Sequence, residues 1–175
     1  MPKFPFRIDL DEELAVGYPY DTSDAFTDNI AGRHFLFAGC SVTAGEALER
    51  PREDTWSYKV YTKLKDEFDN VGGYFNIAYS GATIGEQIDQ IFKYCRKYGN
   101  PESIFFLMPN KDRDGDYLGK RATPDHLDLF IYRMYLHLDQ YCKSNNIKLL
   151  SFTWAEDLDI SELDDEIKPD DSYER

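Results

Sequence analysis

Four short apolar runs divide the chain, and each gap between them holds one segment of helical period. The runs are "HFLFA" (34–38), "YFNIA" (74–78), "SIFFLM" (103–108) and "IKLLSFTW" (147–154). They are too short for helices and read as strands. In the first gap Trp56, Val60, Leu64 and Phe68 recur every four residues, one face of a helix, and "NVGG" (70–73) stops it. In the second, Ile84, Ile88, Ile91 and Cys95 share a face. Thr83 and Glu86 have the spacing of a capping box there, and Gly99 and Pro101 end the helix. In the third, Leu127, Phe130, Ile131, Met134, Leu138 and Tyr141 form the stripe, with Thr123 as N-cap and Pro124 at the first helical position. Strand alternating with helix predicts an α/β domain, a parallel sheet within three α/β/α layers.

Charge marks the boundaries of this domain. The net charge of −13 is confined to the two ends: residues 1–30 carry −5, residues 156–175 carry −8, and the middle is neutral. The expected organisation is an N-terminal arm over 1–30, the α/β domain over 31–155, and an acidic C-terminal segment over 156–175. Such a balance disfavours nucleic acid, which needs a basic surface to displace counterions. No run approaches the ~20 apolar residues of a membrane span, and the N-terminus lacks a signal-peptide pattern. A cytoplasmic location without membrane association is expected. Three cysteines, Cys40, Cys95 and Cys142, argue against a disulfide framework and a zinc site. Cys95 and Cys142 fall on apolar helix faces and read as packing residues.

In open parallel sheets, sites form at the carboxyl ends of the strands. Three loops meet that condition, 39–45, 79–85 and 108–123. The first, "GCSVTAG", puts Ser41 at a strand-to-helix turn between Gly39 and Gly45. The second, within "NIAYSGATIG", offers the backbone N–H of Gly81. The third opens "MPN" and offers the side-chain amide of Asn110. A serine, a backbone N–H and an Asn amide from three strand ends are the parts of an acyl-transfer site: the serine attacks a carbonyl and the donors hold the oxyanion. The rest of the third loop, "NKDRDGDYLGKR", has spaced aspartates but no glutamate where a calcium loop needs one, and reads as a mobile loop over the active edge. A phosphate-binding turn is disfavoured, because "GCSVTAGE" lacks the P-loop lysine and spacing.

These three blocks resemble the SGNH, or GDSL-like, hydrolases. "FAGCSVTAG" looks like the family's G-D-S-x-T-x-G block: Gly39, Ser41, Thr43 and Gly45 match, and Cys40 replaces the aspartate. "DTWSYKVYTKL" is similar to the helix that follows it. "NIAYSGATI" looks like the second block, with Asn76 and Gly81 in place. "FFLMPNKD" stands at the third, G-x-N-D: Asn110 matches, while Met108 replaces the glycine and Lys111 the aspartate. The resemblance covers roughly residues 33–155. It implies a flavodoxin-like parallel sheet and a serine-dependent ester hydrolase. Ser41 would be the nucleophile, and its own N–H, that of Gly81 and the Asn110 amide would form the oxyanion hole. The implied substrate is a small-molecule or carbohydrate ester, such as an acetyl ester, with no metal and no organic cofactor. Oligomeric state is left open.

Serine needs a base. The family supplies it from a late D-x-x-H block, which this sequence lacks. Of three histidines, His34 begins the first strand at the opposite end of the sheet and His137 is mid-helix. His126, on the first turn of the third helix, is the candidate base at the active edge. Two readings follow: the chain is the front part of a longer hydrolase, or it is a non-catalytic binding or structural module on the same fold. The first is the expectation carried forward.

Overall fold

A computed structural model of the chain describes residues 32–111, 113–114 and 124–153. The N-terminal arm, the acidic C-terminal segment and the Thr123 cap lie outside the described residues. Among the described residues four parallel strands form one sheet: β1 (Arg33–Ala38), β2 (Val71–Asn76), β3 (Ser103–Leu107) and β4 (Lys148–Phe152), in the order β2-β1-β3-β4. Between β1 and β2 lie two single-turn helices, α1 (Ser41–Ala44) and α2 (Pro51–Asp54), and then α3 (Trp56–Glu67). Helix α4 (Ile84–Tyr98) joins β2 to β3, and α5 (Pro124–Ser144) precedes β4.

The order of the strands dictates the layers. The chain steps one way from β1 to β2, then back across β1 to β3 and on to β4. Right-handed crossovers taken in opposite directions put their helices on opposite faces. Alternation along β1 shows the result. Phe35 and Phe37 pack with Tyr61 and Tyr74 on the α3 face. Leu36 and Ala38 pack with Ile84, Ile88, Ile91, Leu127, Ile131 and Leu138 on the face of α4 and α5. The fold is therefore the three-layer α/β/α sandwich.

Local signals set most boundaries. Thr83 accepts from the Glu86 N–H while the Glu86 carboxylate accepts from the Thr83 N–H, the capping box that the spacing predicts. Ile84, Ile88, Ile91 and Cys95 are all buried, and Pro124 opens α5. Thr55 caps α3 by accepting from the Tyr58 N–H. Two details differ from the pattern reading. The seam of α3 runs through buried Ser57 and Tyr61, with Trp56, Val60 and Leu64 beside it. Phe68 ends the helix with an extended backbone and lies 37% exposed, beneath the Arg33 guanidinium. The second strand begins at Val71, three residues before the expected start. The turn falls on Asn70, which takes φ 59°, and the two glycines after it belong to β2. The register to β1 shifts there, with Arg33 opposite Val71 but Phe35 opposite Tyr74. One residue more on β2 than on β1 is a bulge, which small residues accommodate.

His34 sits at the amino edge of this sheet, buried against Phe75 and Tyr94, with ring centroids at 5.8 and 6.0 Å. Burial holds its pKa below the ordinary 6.5, outweighing hydrogen bonds to the backbone of Gly32 and Gly99. The unfolded chain takes up this proton first as the pH falls. The stability that neutral His34 contributes is thus present above 6.5 and lost as the pH drops through the folded-state value. The urea midpoint of wild type is expected to fall on acidification from pH 7. In His34→Leu the part of that slope starting near 6.5 should disappear, and parallel slopes for the two proteins would count against the assignment.

Candidate active site

Ser41 leaves the sheet from β1, and β1 lies between β2 and β3. Gly81 follows β2 and Asn110 follows β3, so all three depart from the carboxyl ends of three neighbouring strands, with the serine in the middle. The strand order reverses between β1 and β3, and loops there diverge to opposite faces and leave a crevice. Ser41 is half-buried, whereas Gly81 and Asn110 are exposed.

The first loop is tight because its surroundings leave little room. A Cβ on Gly39 would overlap Thr43 Oγ1 and lie 2.8 Å from the Leu107 carbonyl oxygen. Only a glycine lets β1 turn here against β3. Its N–H donates to Gln87 Oε1 at 3.0 Å, a buried bond that ties the loop to α4. Thr43 is fully buried, and the Trp56 indole N–H donates to its hydroxyl at 3.3 Å. Ser41 is the first residue of α1, so its N–H has no intrahelical acceptor. Cys40, where the resemblance expects an aspartate, is 4% exposed and packs as a small apolar group.

Asn76 joins this loop to the next strand. Its side-chain amide donates to the Thr43 carbonyl at 2.7 Å and to the Tyr74 hydroxyl at 2.9 Å, and its Oδ1 accepts from the Ala78 N–H at 3.0 Å. Ser57 completes the cluster, 2.7 Å from the same Tyr74 hydroxyl. At the rim, the Ser80 hydroxyl donates to Glu46 at 2.6 Å, linking the first and second loops next to Gly81. Gly81 takes φ 79°, and a Cβ there would meet nothing within 4 Å, so the glycine answers the backbone conformation and not a lack of room.

Of the third loop, residues 108–111 and 113–114 are described and anchored, and the rest of the segment expected to be mobile lies outside the described residues. Met108 fills the core where the resemblance expects a glycine, and Lys111 bridges to Asp128 on α5 at 3.2 Å. The turn from Asn110 carries Asp114 inward, where it is fully buried. Its oxygens accept from the N–H groups of Ile84 and Gly85 at 2.9 and 3.0 Å. Burial pushes the Asp114 carboxyl above its usual range, against the pull of hydrogen bonds from Gly85, Ile84 and Thr83. The sequence reading missed this residue: its partners lie 30 and 29 positions away, and no local spacing announces them.

His126 is exposed on the first turn of α5, which lies at the carboxyl edge because α5 runs from β3 back to the start of β4. His137 is exposed in the middle of that helix, and His34 is at the amino edge. Cys95 and Cys142 are buried, and burial raises their thiols to about 11 and about 12, so neither is a nucleophile at neutral pH.

No family model matches the sequence, and no curated protein does. Solved structures do. TesA superposes with a TM-score of 0.50 at 18% identity, over 68% of this chain and 59% of that one. AlinE4, described as an SGNH-hydrolase family esterase, superposes with a TM-score of 0.50 at 18% identity, over 69% of this chain and 58% of that one. The fold is SGNH-hydrolase-like. At this identity the likeness concerns the fold alone, and the chain spans less than three-fifths of either structure. Among the described residues no helix is long and apolar enough to cross a membrane.

The Asn76 cluster yields a prediction. Asn76→Ala leaves the Ala78 N–H without its buried partner and the Thr43 carbonyl with only the longer bond from the Ser57 hydroxyl, at 3.4 Å. The expected loss is on the order of 3 kcal/mol, read from urea denaturation. A loss below about 1 kcal/mol would mean that water replaces the amide and that the cluster does not hold the loop.

Proposed function

We propose that the protein is a serine-dependent ester hydrolase acting through an acyl-enzyme at Ser41. The observation that carries this reading is the position of Ser41 at the end of the central strand, flanked by the loops that bear Gly81 and Asn110. In the proposed reaction Ser41 Oγ attacks the ester carbonyl and gives up its proton to a base. The oxyanion accepts from the Ser41 N–H, the Gly81 N–H and the Asn110 amide. The intermediate expels the alcohol, and water then releases the acid from Ser41. Gly81 and Asn110 both lie exposed beside the serine loop, which supports their reach to a bound ester. The SGNH-like fold supports the same reading, since AlinE4 is an esterase of that fold. A short acyl ester, such as an acetyl group on a carbohydrate, is the proposed substrate class, and the chemistry draws on side chains and backbone alone.

The candidate base is His126, the histidine at the carboxyl edge. A general base contributes about 10²–10⁴-fold, so His126→Gln lowers kcat by at least about 100-fold if the base is His126 and leaves it unchanged if the base comes from the late D-x-x-H block that the resemblance implies. An unchanged kcat would assign the proton to another group.

The decisive comparison is wild type against Ser41→Ala on p-nitrophenyl acetate, with a fluorophosphonate as covalent probe. Wild type should turn over and label, and Ser41→Ala should do neither while keeping its melting temperature. Asn110→Ala should label but lose about 10²–10³ in kcat. Wild type that neither turns over nor labels would favour a binding module on the same fold.

A further inference from the structure

We propose that Asp114 is a positioning residue for the oxyanion hole, a buried carboxylate that locks the Gly81 loop to the Asn110 loop. The proposal rests on the esterase reading. The first four N–H groups of a helix have no intrahelical acceptors. In α4 the capping box accounts for two donors at the helix start, those of Thr83 and Glu86. Asp114 takes the two between them, with Oδ2 on the Ile84 N–H and Oδ1 on the Gly85 N–H. The start of α4 is thereby held by two anchors, one local and one from the next loop.

Each end of this clamp lies about one turn from a proposed oxyanion donor. Ile84 follows Gly81 through buried Ala82 and Thr83. On the other side the Arg113 N–H donates to the Asn110 carbonyl at 3.2 Å and the Asp114 N–H to the Lys111 carbonyl at 3.0 Å, a turn that opens at Asn110. Asp114 therefore sets the distance between two loops that no backbone hydrogen bond between strands controls. A solvated side chain would cap the helix as well, and burying a charge is costly. The burial of Asp114 is explained if what matters is a rigid link. The charged neighbour on α4 is Glu86, whose charge opposes ionisation of Asp114, and α5 brings Phe130 to this corner, in reach of Gly85.

Asp114→Asn keeps the shape but replaces one acceptor by a donor, so one N–H of the pair loses its partner. Wild type, Asp114→Asn and Ser41→Ala are compared on p-nitrophenyl acetate, with amide hydrogen exchange followed at Ile84 and Gly85. A small misplacement of catalytic groups costs up to about 100-fold. The expected result for Asp114→Asn is a kcat about 10–100-fold lower with KM within about twofold, and faster exchange at both amides. Faster exchange with kcat unchanged overturns the proposal, since the clamp would then be structural only. A raised KM with unchanged kcat also overturns it. If wild type shows no turnover that depends on Ser41, the esterase reading fails and the catalytic role of Asp114 fails with it, while exchange still reports the clamp itself. Should Asp114→Asn not fold, wild type alone is sufficient. On acidification the Ile84 and Gly85 amide resonances should shift together, with a midpoint above the ordinary 3.8 of an aspartate, and kcat should show a limb at that midpoint in addition to the one set by the general base. Resonances that move independently, or not at all, overturn the proposal.

Discussion

One amide side chain holds the carboxyl edge together. Asn76 is the last residue of β2, and its side chain binds the backbone of the β1 loop on one side and of its own loop on the other. Parallel strands deliver their loops to the same edge, but sheet hydrogen bonds stop where the strands stop. Past that line, fixed geometry must come from side chains that replace the missing ladder. Asn76 does so between the first two loops, Gln87 ties the first loop to α4, and Asp114 ties the third loop to the start of α4. The site is therefore a set of loops joined by buried polar groups, each with its hydrogen bonds made, on a rigid apolar sheet.

These polar links also account for residue choices that the resemblance alone leaves opaque. Thr43 is needed for its hydroxyl, which accepts from the Trp56 indole, while its backbone carbonyl accepts from Asn76 as that of any residue would. Gly39 is needed because Thr43 and Leu107 leave no space for a side chain. The departures from the family pattern fall where another interaction has taken over. Met108 fills core volume, Lys111 reaches Asp128, and Cys40 packs in a buried position.

What the sequence revealed and what it concealed divide along sequence distance. The strands, the Thr83–Glu86 capping box, the Pro124 start and the apolar face of α4 were legible, because each rests on neighbours within a turn or two. The start of β2 was misplaced because glycines next to Asn70 resemble a stop, and only pairing with β1 reveals them as strand. The seam of α3 was shifted for a similar reason: Ser57 looks polar, yet its hydroxyl is satisfied by Tyr74 in the interior. Asp114 was invisible, since an aspartate in a polar loop has no local mark of burial. Ser41, Gly81 and Asn110 were singled out because each follows a strand at its carboxyl end, a signal that locates an edge without giving the contacts that hold it.

The central position of β1 bears on how the edge is assembled. The first strand made is the one that needs two later strands, since Phe35 pairs with Tyr74 on one side and Ser103 on the other. Such distant pairings must close long loops before any contact offsets the lost entropy, which slows folding. During synthesis the strand carrying the serine loop waits with one flank open until β3 has left the ribosome. The flank of β1 from which the serine loop departs thus closes only when β3 docks, ahead of β4, and a chain halted between β2 and β3 would present that open edge of β1 to any partner able to bind it.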